Sequence, residues 1–285
     1  MPYASARDGT KLYYEEAGKG TPLVFVHEFA GDYRSWEAQM RYFSRRYRCI
    51  TYNARGYPPS DVPRARAKYS PAIAIDDIAD LMRHLKLREA HIVGCSMGGY
   101  NTLQFGIHHA PRALSITAIG AGAGSNAATR KAFLKASAEN ARRFEEMGAD
   151  AALRGMPLSA GRVPQKHKDP RGFAEWQRWH REHSGLGLAN TQRGLQSRRP
   201  TLFQLERELR DLKMPVFIVV GDEDDNCVPA AVFIKQVCPN ARLLICPATG
   251  HAVNTEEPDL LNRMLLDFLT LVDSGRWRPR YAARG

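Results

Sequence analysis

The chain has 285 residues, of which 44% are hydrophobic and 25% charged, a balance that suits one large α/β domain or two small ones. It supplies one sizeable core and excludes disordered, collagenous and repeat architectures. No apolar run approaches the roughly 18 residues of a bilayer span, and the polar start Met1–Asp8 lacks a signal-peptide core, so the expectation is a cytoplasmic protein with no membrane partner. The net charge of +11 raises nucleic acid as a partner, because clustered Lys and Arg attract phosphates. The distribution argues against it. Fifteen Lys or Arg stand against seven Asp or Glu between Ser125 and Leu205, while the rest of the chain is nearly balanced. A positive lid steers an anionic substrate inward; the plainer reading is a solvated basic surface. The five cysteines are odd in number and lack paired spacing, and four of them sit beside or inside apolar runs, so they read as reduced and mostly buried, without a metal or redox motif.

Taken in order, Lys11–Glu16 reads as extended, 18–22 as a turn, and Pro22–His27 as an apolar strand buried on both faces, as in parallel sheets covered by helices. A helix from about Ser35 to Arg45 and a strand at Tyr47–Tyr52 complete one βαβ unit. Ser70 and Pro71 open the next helix as N-cap and first residue, and Ile75, Ile78, Leu81, Met82 and Leu85 form its apolar stripe. The strand 90–95, a helix from Met97 toward His109 and the strand 114–119 continue the alternation, which predicts one mostly parallel, doubly wound sheet. From 120 to 200 the pattern turns helical and charged and is broken by Gly and Pro, as in an inserted helical cap. The division is residues 1–124 and 201–285 as core and 125–200 as cap. Strands at 216–220 and 242–246 and a helix at 257–272 follow, and 275–280 reads as a loosely held tail.

Gly94-Cys95-Ser96-Met97-Gly98 matches G-x-S-x-G between a strand and a helix. Such a turn needs small flanking residues and presents the serine Oγ at the carboxyl end of the sheet, on the positive end of the next helix. Its alternative is a turn whose serine merely caps the helix. A serine needs a positioned base and a carboxylate to orient that base. The acidic loop 221–229 and the segment Pro247–His251 each follow a strand, in the order serine, acid, histidine.

With these residues in place, the chain resembles the α/β-hydrolases of the esterase and enol-lactonase type over essentially its full length. His27-Glu28-Phe29-Ala30-Gly31 resembles the family's oxyanion loop, Asn53–Ser60 its Asp-x-Arg-Gly-x-Gly-x-Ser segment, 94–98 its elbow, and Gly250-His251 with Glu257-Pro258 its histidine loop. The resemblance implies Ser96 as nucleophile and His251 as general base. It leaves two acids: Asp224 has the expected distance from Gly221 and Asp225 the expected distance to Pro229, and Asp224 is preferred because the strand fixes the near side of the loop. The oxyanion hole falls to the backbone N–H groups of Met97 and Phe29. Glu28 stands where the family has glycine, and either turns away to pair with a cation, Arg55 being the candidate, or faces solvent. Trp176, Trp179 and Phe173 line a pocket or pack the cap down, so Glu28, Trp176 and Trp179 are the candidate substrate contacts. His108 and His109 read as helix-end cations, and His167, His180 and His183 lack the ligand spacing of a metal site. Cys95 reads as a core residue.

The reading is a cofactor-free, metal-free serine hydrolase acting on a small carboxylic ester or lactone. A carbon–carbon bond hydrolase and a non-catalytic ligand receptor on the same scaffold remain open. Ser96 argues against relatives that use an aspartate at the elbow.

Overall fold

The computed structural model describes residues 2–280. Eight strands, β1 (Tyr3–Ser5), β2 (Lys11–Ala17), β3 (Pro22–Val26), β4 (Arg48–Tyr52), β5 (Ala90–Cys95), β6 (Ala113–Ile119), β7 (Val216–Gly221) and β8 (Ala241–Cys246), form one sheet in the order β1-β2-β4-β3-β5-β6-β7-β8. The β1–β2 and β2–β4 pairings are antiparallel and the other five are parallel. β5 and β7 are buried along their whole length, as their apolar runs require, since helices cover both faces. The short edge strand β1 is absent from the sequence reading, because three residues carry no periodicity.

The helices are α1 (Glu37–Phe43), α2 (Pro71–His84), α3 (Met97–His108), α4 (Ala127–Arg154), α5 (Val163–Lys168), α6 (Pro170–Arg181), α7 (Gly185–Thr191), α8 (Glu206–Arg210), α9 (Val228–Val237), α10 (Val253–Glu256) and α11 (Pro258–Asp273). Ser70 Oγ accepts the Ile73 N–H at 3.1 Å, which fixes the start of α2. Two cores result. Ile50, Ile78, Leu81, Ile92, Leu103 and Ile218 pack on one side of the sheet, and Phe25, Trp36, Cys95, Val219, Leu261 and Leu265 on the other. Cys95 thus packs away from Ser96, and all five cysteines are free and buried.

α4 to α7 lie between β6 and β7. α4 breaks at Gly148, whose φ of 77° few other residues adopt. α7 continues into a π turn at Gln192–Gln196, and Gly187 comes so close to Gly56 that a Cβ there would sit 1.8 Å from the Gly56 carbonyl oxygen. No helix among the described residues is long and apolar enough to cross a membrane. The segment 275–280 is not loose: the Trp277 ring meets Phe268 edge-on at 5.0 Å, and the Arg242 guanidinium lies 4.9 Å from its centre. The apolar side of an isolated aromatic residue outweighs a charged neighbourhood, which composition alone did not reveal.

Candidate active site

Ser96 sits between β5 and α3 with φ 54° and ψ −112°, a conformation costly for a residue with a Cβ. Its neighbours impose it. Its N–H donates to the Ile119 carbonyl at 2.7 Å. A Cβ on Gly94 would lie 2.2 Å from the Gly98 oxygen, and one on Gly98 would lie 2.1 Å from the Val26 oxygen, so both flanks of the turn must be glycine. Ser96 does not cap α3 with its side chain; its Oγ–H instead donates to His251 Nε2 at 2.8 Å.

His251 follows β8, and its Nδ1–H donates to Asp224 Oδ2 at 2.6 Å. Asp224 is buried whereas Asp225 is exposed, so the extra residue in this loop lies beyond Asp224, on the far side from the strand. Burial is the largest influence on Asp224 and works to raise its pKa, but the facing His251 and the Cys227 and Arg162 side chains outweigh it and hold the carboxyl below its ordinary value. The backbone around His251 is equally tied. Its N–H donates to the Gly161 carbonyl at 2.7 Å, and the Gly250 N–H meets the Glu256 carboxylate at 3.0 and 3.1 Å. Asp222 accepts the Thr249 N–H at 3.0 Å. Cys227 donates its thiol to the Gly120 carbonyl at 3.2 Å and lies 4.0 Å from His251 Nδ1; burial keeps that thiol well above its usual pKa. Asp224, Cys227 and His251 bring three ligand-type atoms within 4.8 Å of one another, and each is engaged in the hydrogen bonds just given.

On the loop after β3, His27 Nδ1–H donates to the Glu28 carbonyl at 2.7 Å while Nε2 accepts the Ala54 N–H at 3.0 Å. Full burial, the largest cause, depresses its pKa, so the ring is neutral, as these two bonds require. Glu28 does not pair with Arg55. Arg55 is taken by Asp77 at 2.6 and 2.7 Å and by Asp8 at 2.9 Å, below the sheet rim. Nor does Glu28 face solvent, being only 2% exposed. Its carboxylate folds back over Gly31, where a Cβ would lie 2.3 Å from Cδ, accepts Ser35 Oγ–H at 3.1 Å and faces Arg162 Nη2 at 3.7 Å. The partner lies on the inserted helical layer, 134 positions away in sequence, and no local signal marks it.

A cavity of about 290 Å³ opens above Ser96 and His251. Glu28, Phe29 and Trp176 line it, together with Phe133, Arg162, His180, Gln192 and Gln196, which sequence reading missed. The π turn presents the two glutamines, whose Oε1 atoms have no protein partner. Trp179 is absent from the wall: on α6, Trp176 and His180 share the inner face with ring centres 4.2 Å apart, while Trp179 lies on the flank beneath the Arg34 guanidinium at 5.2 Å. Phe173 is buried and packs beside Trp176 at 5.4 Å. Met97 is the first residue of α3, directly after Ser96. His109 Nε2 meets Asp76 at 3.0 Å at the end of α3, and the half-buried His180 and the buried His183 have ring centres 6.3 Å apart.

Comparison with known proteins completes the assignment of the fold. The family model of the alpha/beta hydrolase fold matches residues 21–258. A non-heme haloperoxidase of Rhodococcus erythropolis is 27% identical over 94% of this chain and 99% of its own. Among solved structures, the enol-lactonase of Burkholderia xenovorans superposes with a TM-score of 0.80 at 21% identity, covering 94% of this chain and 100% of the other. A thermophilic esterase of Thermogutta terrifontis does so with 0.82 at 22% identity, covering 95% and 98%. With more than half of its length matched by the family model, and with the sheet order and turn described above, the chain belongs to the α/β-hydrolase fold family.

Proposed function

We propose that this protein hydrolyses a small carboxylic ester or lactone through an acyl-enzyme on Ser96. One observation carries the reading: the unbroken hydrogen-bond relay Asp224–His251–Ser96, at 2.6 and 2.8 Å, at the floor of a cavity. His251 Nε2 takes the proton as Ser96 Oγ attacks the carbonyl carbon. Asp224 holds Nδ1–H and stabilises the imidazolium that forms. The backbone N–H groups of Met97 and Phe29 receive the developing oxyanion, helped by the positive end of α3. His251 then gives its proton to the leaving alkoxide; in the second half-reaction it takes a proton from the water that attacks the acyl carbon and returns it to Ser96 Oγ as the free acid departs. The chemistry uses side chains and backbone alone, with no cofactor. The helical layer at 125–200 acts as a cap that closes the cavity and supplies its upper wall through Arg162, Trp176 and the two glutamines.

The esterase and enol-lactonase among the structural neighbours are in keeping with this substrate class. Most of the basic excess of the cap is solvated surface: of its fifteen cations only Arg162 reaches the wall of the Ser96 cavity, where Glu28 faces it.

The test is turnover of p-nitrophenyl acetate and a set of lactones by the intact protein and by Ser96→Ala. The expected outcome is steady turnover that falls by about 10⁴-fold or more in the variant. Labelling of Ser96 by a fluorophosphonate without any turnover would replace the enzyme reading by that of a ligand receptor.

A further inference from the structure

The cavity above Ser96 does not stand alone. A second chamber of about 360 Å³ adjoins it and shares four of its lining residues: Ser159, Arg162, Trp176 and His180. The partition is a stack, with the Arg162 guanidinium 4.4 Å from the Trp176 ring centre and the His180 ring 4.2 Å beyond. Behind it the character of the lining changes. Leu153, Met156, Pro157 and Leu158 give an apolar surface, while Arg154 and Arg181 add charge at its edge and no carboxylate belongs to the lining. Those two guanidinium groups converge on a single acid: Arg154 Nε lies 2.9 Å and Arg181 Nε 3.7 Å from the same oxygen of Asp150. Two cations on one carboxylate leave one positive charge uncompensated beside an apolar surface.

We infer that this second chamber is a subsite for the remote end of the substrate, and that it takes a carboxylate carried on an apolar spacer. The inference rests on the ester-hydrolase reading of Ser96. It follows from adjacency and charge: a substrate held by its carbonyl at Ser96 has about 290 Å³ before the Trp176 partition, and the chamber on the other side of that partition is lined by apolar side chains together with the guanidinium groups of Arg154 and Arg181. The spacer buries apolar area against Leu153, Met156 and Leu158, and the terminal anion meets the Arg154–Arg181 pair, whose donors form strong charge-assisted bonds with carboxylates. The Ser96 cavity itself does not select for charge, because Glu28 offsets Arg162.

The experiment compares two esters of equal acyl length, mono-p-nitrophenyl adipate and p-nitrophenyl hexanoate, with the neutral ester as internal reference. The wild type is expected to favour the adipate in kcat/KM by about fivefold, a modest factor because Arg181 is partly exposed, and the preference is expected to shrink as salt screens it. Arg181→Glu is expected to abolish or reverse the preference while hexanoate turnover reports that the site is intact. Arg154→Gln, which leaves Asp150 to neutralise Arg181, repeats the test should the first variant fold poorly. Equal kcat/KM for both esters in the wild type, or a preference that survives both substitutions, overturns the subsite. Hexanoate turnover without a preference for the adipate removes only this inference; absence of Ser96-dependent turnover of either ester removes the hydrolase reading with it.

Discussion

The rim of the sheet and the helical layer above it are built by different means. At the rim, Ser96 and Asp224 follow the buried strands β5 and β7 and His251 follows the half-buried edge strand β8, and the backbone around them is held by N–H groups donating to fixed acceptors. In the layer above, the outer face of α4 carries Arg142 between Glu139 at 2.9 Å and Glu146 at 2.5 Å, all about half exposed, and pairs of that kind add little stability. The layer is held instead by a few interior contacts, such as Gly187 on Gly56 and His183 against Tyr57, with ring centres 5.3 Å apart. On the proposed function, reaction geometry is thus written into strand ends, and selectivity into side chains that can change without disturbing them.

The comparison breaks first at the acid. If strand ends set the geometry, Asp224→Asn should lower kcat by about 10³- to 10⁴-fold, while the exposed neighbour Asp225→Asn changes it by less than about twofold. Equal losses in the pair would show that the loop, and not the strand, selects the carboxylate.

Acid should separate the two regions. Burial pushes the His183 pKa down to about 4, so the fold accepts only its neutral form. Its contribution is complete above the ordinary histidine pKa of about 6.5 and is lost as pH falls toward 4, a loss of order 2–3 kcal/mol. Asp224 has a depressed pKa and keeps its contribution until the pH drops below the usual carboxylate range. Urea midpoints at pH 7 and pH 4.5 should therefore differ more in the wild type than in His183→Asn; an identical pH dependence in both would remove His183 as the cause.

The smallest effect concerns the two tryptophans. Trp176→Ala should alter kcat/KM by about tenfold, since its ring walls both cavities, whereas Trp179→Ala should stay within about twofold. A larger loss at Trp179 would mean that α6 turns in solution to present its other flank.

Most of the sheet was legible because buried strands must be apolar on both faces and turns around a catalytic-type serine must be glycine. β5, β7 and the 94–98 turn follow from those two constraints alone. The histidine loop was legible for the same reason, as the residues just past a strand are placed by it. Glu28 shows where this reasoning ends. Its partner Arg162 belongs to a layer whose position over the rim depends on long-range packing, so a neighbour along the sheet, Arg55, was the natural but wrong candidate. Trp179 failed for a finer reason: three or four positions apart on a helix both read as one face, and only the packed structure decides which residue lies at its centre. α9 escaped because Val228–Val237 lacks the polar intervals that make a helix visible in sequence.

The backbone at residue 96 carries a last consequence. A φ of 54° with ψ −112° is a shape that glycine tolerates and serine resents, so the hydroxyl is present at that point in opposition to the preferences of its own main chain. Ser96→Gly should melt at a higher temperature than the parent, by a margin equivalent to about 1 kcal/mol. On the proposed mechanism, durability and reactivity then compete for a single residue, and the sturdiest version of this molecule is one that no longer turns over an ester.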